Sequence, residues 1–422
     1  MNKILITLVL LVELSLNNCF TLPRKLGSIN IPHAAFLNLR TNNITNKKDL
    51  LISTFNGAPF SSGTVLMVAN VGDHYNSFEQ TRPVQLAGGL AWPNEIAGVP
   101  DSVFGKPMIA IPDGFLVPFH TNGAIYLVDI SGVTPQGPYK ITKSNGESWF
   151  YHRVLFKDMD SDGDLDIVTC RAREPILSIF SSKDSELLWL ENPASHQYTS
   201  SWEEHVITHG PDVYFRNMQI STPDGIFDVI VTTEFFTQKL SIHWTTDSEN
   251  KWTDSSKIHS RVVDSEAGAL FDVEVNDLNA DGKLDLLVVS NGYNGSVLAY
   301  EIPQDFRSES FPRHTLATGF KPVTTGPGKG SPGSAFGFFL KQDEKSPKPY
   351  ILLSGDDDGK GYILEPSSSR PDDWSYGSHI FVDAGKGTLG QFVFDDVNGD
   401  GYTDIFVPEY NHGIVLLYTF AP

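Results

Sequence analysis

Residues 158–170 read DMDSDGDLDIVTC: aspartates at Asp158, Asp160, Asp162, Asp164 and Asp166, a glycine at Gly163, then an apolar run. The same arrangement returns as DLNADGKLDLLVVS from Asp277 and as DVNGDGYTDIFVPE from Asp396. From 158 to 277 and from 277 to 396 the interval is 119 residues both times. Equal spacing of so specific a pattern marks a repeated architecture.

Halfway between the loops the apolar run appears in weaker copies. DVIVTT starts at Asp228, with Asp224-Gly225 at the matching offset; YILLSG starts at Tyr350, PMIAIP at Pro107 and DLLISTFNG at Asp49. The anchors 49, 107, 166, 228, 285, 350 and 404 define seven units, three of which keep the full acidic loop. Each unit repeats one plan. An alternating stretch such as Phe271-Asp-Val-Glu-Val275 comes first, then the apolar run, then a Gly turn and a further strand (GTVLMVAN, GAIYLVDI, GSVLAYEI, GYILEP, GIVLLYTF). A closing strand that starts with a basic residue or His follows in most units, as in EEHVITHG, SRVVDS and PRHTLATG. Four period-two strands per unit predict an all-β, seven-bladed β-propeller with four-stranded blades. Sustained apolar spacing at i, i+3, i+4, i+7 is missing, which excludes a helical repeat.

The last unit ends after Leu417-Tyr418-Thr419 without a closing strand, while PRKLGSINIP at 23–32 resembles one. Residues around Leu26–Ile31 are therefore expected to complete the seventh blade and close the ring, leaving only short, protected edges.

The acidic loops suit calcium, which takes about 6–8 oxygen ligands in irregular geometry. The first would offer Asp158, Asp160, Asp162, the backbone carbonyl of Asp164, and Asp166. The second offers Asp277, Asn279, Asp281, the carbonyl of Lys283, and Asp285. The third offers Asp396, Asn398, Asp400, the carbonyl of Tyr402, and Asp404. Three or four carboxylates packed together repel unless a cation neutralises them. Zinc would call for His or Cys, and magnesium for a regular octahedron with several waters. An EF-hand needs Glu at its twelfth position, where these loops have Thr169, Val288 and Val407. Two other motifs are read differently: Asp356-Asp357-Asp358-Gly359 as a solvated hairpin tip, and GPGKGSPGS at 326–334 as a flexible loop.

Composition limits the function. The chain has 422 residues, and 40% hydrophobic with 11% aromatic residues suffices for a large core, so disorder is excluded. A net charge of −20 without a basic cluster argues against nucleic acid. Lys3 followed by the apolar stretch Ile4–Leu16 reads as a signal peptide over residues 1–19, too short to span a bilayer. The propeller would then occupy 20–422 as a secreted, extracellular chain with no membrane span. Once Cys19 leaves, Cys170 is the single cysteine, expected to be a buried structural thiol. Asn43 and Asn294 open glycosylation sequons.

The acidic loops with their apolar runs resemble the FG-GAP or VCBS-type repeat found in integrin α heads and many secreted proteins. The phrase ELLWLENP with Trp202 and HVITHG adds to the likeness. The resemblance implies a seven-bladed propeller whose calcium sits between two strands of a blade and stiffens it. The loops are accordingly expected to be structural. No G-x-S-x-G, H-E-x-x-H or P-loop pattern is present. Trp149, Tyr151, His152 and Arg153 form an unusual cluster, which either binds a ligand at the central rim or packs blades together. The favoured function is an extracellular binding or adhesion module for a glycan or protein ligand. A carbohydrate-active enzyme of lyase or dehydratase type and an acidic matrix component are the alternatives.

Overall fold

The computed structural model describes residues 20–422 apart from 59–60, 115–122, 144–148, 174–183, 194, 196, 293, 327 and 345. The expected signal peptide, with Cys19, lies outside the described residues.

Seven four-stranded antiparallel sheets follow one another along the chain. Blades 1 to 6 span 34–90, 97–140, 150–209, 214–264, 270–320 and 335–383, with strands paired in chain order from the inside outward. Blade 7 takes three strands from 393–419, and its outer strand is Arg24–Asn30, paired antiparallel with Ile414–Thr419. The ring thus closes with the strand expected from the sequence. The second strands begin at or within a few residues of the seven sequence anchors, for example Asp166–Arg173, Asp285–Ser290 and Asp404–Glu409.

Burial explains why these second strands are unbroken apolar runs while inner and outer strands alternate. Every residue of Asp285–Ser290 and of Asp404–Glu409 is buried, because each blade is covered on both faces by its neighbours. Side chains alternate between the two interfaces. Ile167, Leu188 and Leu190 join the cluster facing blade 2, whereas Val168, Leu187 and Trp189 join the one facing blade 4. One apolar cluster fills each of the seven inter-blade seams among the described residues. Cys170 is buried in the seam between blades 3 and 4.

The axis of the ring is blocked. His152 is flanked by Phe36, Tyr214 and Phe271, with ring centroids 5.2, 4.7 and 5.8 Å away. Arg153 lies over the Tyr214 ring at 4.3 Å and donates from Nε to Glu95 at 2.8 Å. Arg216 pairs with Glu274, and the Tyr214 hydroxyl donates to Gln391 at 2.7 Å. Inner strands from opposite sides of the ring are therefore tied across its centre.

Candidate functional site

All three acidic loops connect an inner strand to a second strand, and all three fold by one hydrogen-bond plan. The first aspartate accepts the N–H of the glycine five residues on: Gly163 to Asp158 at 3.1 Å, Gly282 to Asp277 at 2.9 Å, Gly401 to Asp396 at 2.8 Å. The third side chain accepts from the fifth residue, as Asp162 to Asp160 at 3.2 Å and Asp281 to Asn279 at 3.0 Å. The fifth side chain accepts from the seventh N–H, at 2.8 Å for Asp164 and Lys283 and 2.9 Å for Tyr402. Gly163, Gly282 and Gly401 have φ of 99°, 85° and 87°, the left-handed region that glycine enters without penalty.

In the first loop, carboxylate oxygens of Asp158, Asp160 and Asp166 lie within 4.8 Å of one another. A hard divalent cation with oxygen ligands fits this donor set, and the lack of His and Cys in all three loops disfavours softer metals. The ninth residues Asp166, Asp285 and Asp404 are buried. Burial pushes each of these carboxyls up to about 7, although backbone N–H donors such as Met159, Leu278 and Val397 oppose the shift.

Two positions carry structure that sequence reasoning passed over. The second loop residue is apolar and buried in every case (Met159, Leu278, Val397), and its N–H donates to the ninth aspartate at 2.8, 3.0 and 3.2 Å. These side chains enter the seam toward the following blade. An apolar residue between Asp and a further Asp or Asn was the visible signal. The fourth position is left-handed as well, with φ of 61° at Ser161, 62° at Ala280 and 79° at Gly399. Serine and alanine announce no such conformation, so no signal existed there.

The second position also shows what the loops hold. The Met159 carbonyl accepts from the Trp252 N–H at 2.8 Å, and the Leu278 carbonyl accepts from the Tyr376 hydroxyl at 3.2 Å. Gly72 lies so close to the Val397 carbonyl that an added Cβ would sit 1.9 Å from its oxygen. Trp252, Tyr376 and Gly72 all belong to the third-to-outer connection of the next blade or to the residue that ends it. Each loop therefore clasps blade 3 to 4, 5 to 6, or 7 to 1, beyond any stiffening of its own blade.

In two of the four units without the full acidic loop, a basic side chain meets the anchor aspartate. Asp49 of blade 1 accepts the Asn70 N–H at 2.8 Å, as Asp166 accepts that of Asn192 at 2.8 Å, and pairs with buried Arg40 at 2.8 Å. Asp228 of blade 4 pairs with Lys157 at 3.0 Å and accepts from the Trp252 indole at 2.7 Å.

Trp149, Tyr151, His152 and Arg153 are all buried. Burial pushes the Tyr151 hydroxyl up to about 12 and the His152 imidazole down to about 3. They pack between blades and around the axis, and Arg153 also lines a cavity there. Asn43 and Asn294 are exposed, on opposite faces of the disc. The reading of 356–359 as a solvated tip is corrected: Asp357 and Asp358 are buried, with Asp357 bonded to Lys329 and Thr388 at 2.7 Å each. Lys329 belongs to the glycine-rich stretch, which is likewise anchored and not a free loop. Gly292 and Ser331 exchange two backbone hydrogen bonds at 3.0 Å, and the Ser331 hydroxyl donates to the Gly355 carbonyl at 2.6 Å.

Among solved structures, the chain is similar to one titled "Structure of Dos1 propeller", with a TM-score of 0.45 and 9% identity over 95% of this chain and 93% of that one. No protein-family profile matches the chain. No curated protein matches it either. No helix among the described residues is long and apolar enough to cross a membrane.

Proposed function

We propose that the chain is a secreted propeller of the FG-GAP or VCBS type, riveted by three calcium ions, which serves as an extracellular binding module for a glycan or protein ligand. The observation that carries the metal assignment is the threefold repetition of one loop, with a shared hydrogen-bond plan at 158–166, 277–285 and 396–404 and three carboxylates gathered in the first. Calcium there neutralises the acidic loops and locks three inter-blade seams, so its role is structural. A carboxylate engaged by a metal is poorly placed as a general base, which favours binding over turnover. A rigid ring with loops on both faces is a scaffold for recognition. Asn43 and Asn294, both exposed, are the expected glycan carriers.

Two measurements test the reading. Equilibrium binding to the metal-free protein should give three calcium ions per chain, and a glycan and extracellular-protein array should return a saturable partner. Zero bound calcium would remove the metal assignment. Polysaccharide cleavage by the purified chain would replace the binding module with an enzyme.

A further inference from the structure

The three acidic loops share one plan, but the third lies in the blade that the chain closes with its N-terminal strand. In blades 3 and 5 the outer strands Glu203–His209 and Arg313–Phe320 run on from the third strand of the same blade. The outer strand of blade 7, Arg24–Asn30, has no such link. The chain leaves it for blade 1, so it stays on blade 7 through pairing and packing.

We propose that calcium at the third loop is the latch of the ring: an occupied 396–404 keeps the N-terminal strand paired, and emptying that loop releases the strand. The inference rests on reading the loops as calcium sites and sets the third apart from the other two.

Thr419 is where loop and closing strand meet. It pairs in register with Asp404, the ninth loop residue, on one side and with Arg24, the first residue of the closing strand, on the other. Its buried hydroxyl accepts from the Tyr75 hydroxyl at 3.0 Å. Tyr75 belongs to the short helical segment Val71–Gln80 of blade 1, and Asp404, Asp400 and Arg24 are among the charged groups around it. The same segment bears on the loop through Gly72, which the Val397 carbonyl approaches too closely for a Cβ. It bears on the closing strand through Glu79, whose carboxylate would stand 3.2 Å from a Cβ at Gly27. Buried Val71 and Phe78 share one apolar cluster with Val397 of the loop and with Ile29 and Ile31. Lys48 of blade 1 adds an ion pair at 2.6 Å to Asp395, just before the loop.

A bound cation draws Asp396, Asp400 and Asp404 together, and without it their repulsion spreads the loop. Spreading shifts Val397 and Asp404, on which the segment 71–80 and Thr419 bear. Loosening of the same kind in blades 3 and 5 reaches outer strands that the chain still joins to their own blade. In blade 7 it reaches a strand held by noncovalent contacts, and local opening frees it. The edge Ile414–Thr419 then stands unpaired.

The test measures amide hydrogen exchange by mass spectrometry on the full calcium-saturated chain and on two variants that each lose one loop, Asp400→Ala and Asp281→Ala, with bound calcium counted alongside. Each variant should hold one ion fewer than the native chain. Exchange across 24–30 and 414–419 should be at least about tenfold faster in Asp400→Ala, while Asp281→Ala keeps the native rate there. Equal exchange at 24–30 in the two variants overturns the latch and leaves the calcium reading standing. No calcium on the native chain overturns both. If Asp400→Ala does not fold, Tyr75→Phe carries the test, since it keeps every loop ligand and removes the bond to Thr419. It should speed exchange at 24–30 about fivefold with the full calcium content retained, and an unchanged rate overturns the latch.

Discussion

Removing calcium should make stability fall with pH, and the size of the effect follows from Asp166, Asp285 and Asp404. Burial holds each carboxyl at about 7 against an ordinary value of 3.8. The folded, metal-free chain therefore keeps protons that the unfolded chain has released. Its extra stability is fully present below the unfolded value of about 4 and is lost as pH rises through about 7. A shift of about three units corresponds to a ceiling of about 4 kcal/mol per loop. The surrounding loops touch solvent, so we discount this to about 2 kcal/mol each. For a chain of this size the three together lower the melting temperature by several degrees, on the order of 5 °C. Calcium reverses the sign because it favours the ionised carboxylates. Differential scanning fluorimetry of resin-stripped and calcium-saturated protein, from about pH 5 to about pH 8, reads the gap between the two curves. The gap should widen with pH. A constant gap would refute the role of these three buried carboxyls, and no gap at any pH would refute the calcium assignment itself.

Three further outcomes are expected. Asp162→Ala or Asp281→Ala should reproduce about a third of the melting shift caused by full calcium removal, since each disables one loop of three; a shift equal to full removal would mean that the loops act as one site. Deleting residues 24–32 exposes the edge at Ile414–Thr419 and removes buried Ile29 and Ile31, costing at least about 3 kcal/mol, so unchanged melting would disprove ring closure by this strand. Arg40→Leu leaves Asp49 buried and unpaired at a cost of about 3–5 kcal/mol by chemical denaturation, and the double change with Asp49→Leu should recover much of it.

Much of the architecture was legible because a propeller writes its period into the chain. A blade covered on both faces needs an uninterrupted apolar second strand, so runs such as DLLVVS and DIFVPE could be counted, and their spacing numbered the blades. The N-terminal strand was legible for the converse reason, since a blade that lacks its outer strand must borrow one. The cluster Trp149–Arg153 left two readings open, a binding rim or inter-blade packing, because large aromatic and charged side chains suit both; an inner strand directs these side chains into seams and the axis. The glycine-rich stretch 326–334 and the run Asp356–Asp358 looked like free turns for a similar reason. Their composition favours turns, but they lie far apart in the ring sequence only on paper and meet through Lys329 and Asp357.

The acidic loops show where the division falls. Their spacing, their acidic side chains and the glycine at the sixth position follow from the sequence alone, because a tight acidic turn is local chemistry. That each loop fastens its blade to the next was decided only by the tertiary structure. The contacts of Met159 with Trp252, Leu278 with Tyr376 and Val397 with Gly72 join residues from neighbouring blades, and no local pattern records such a pairing.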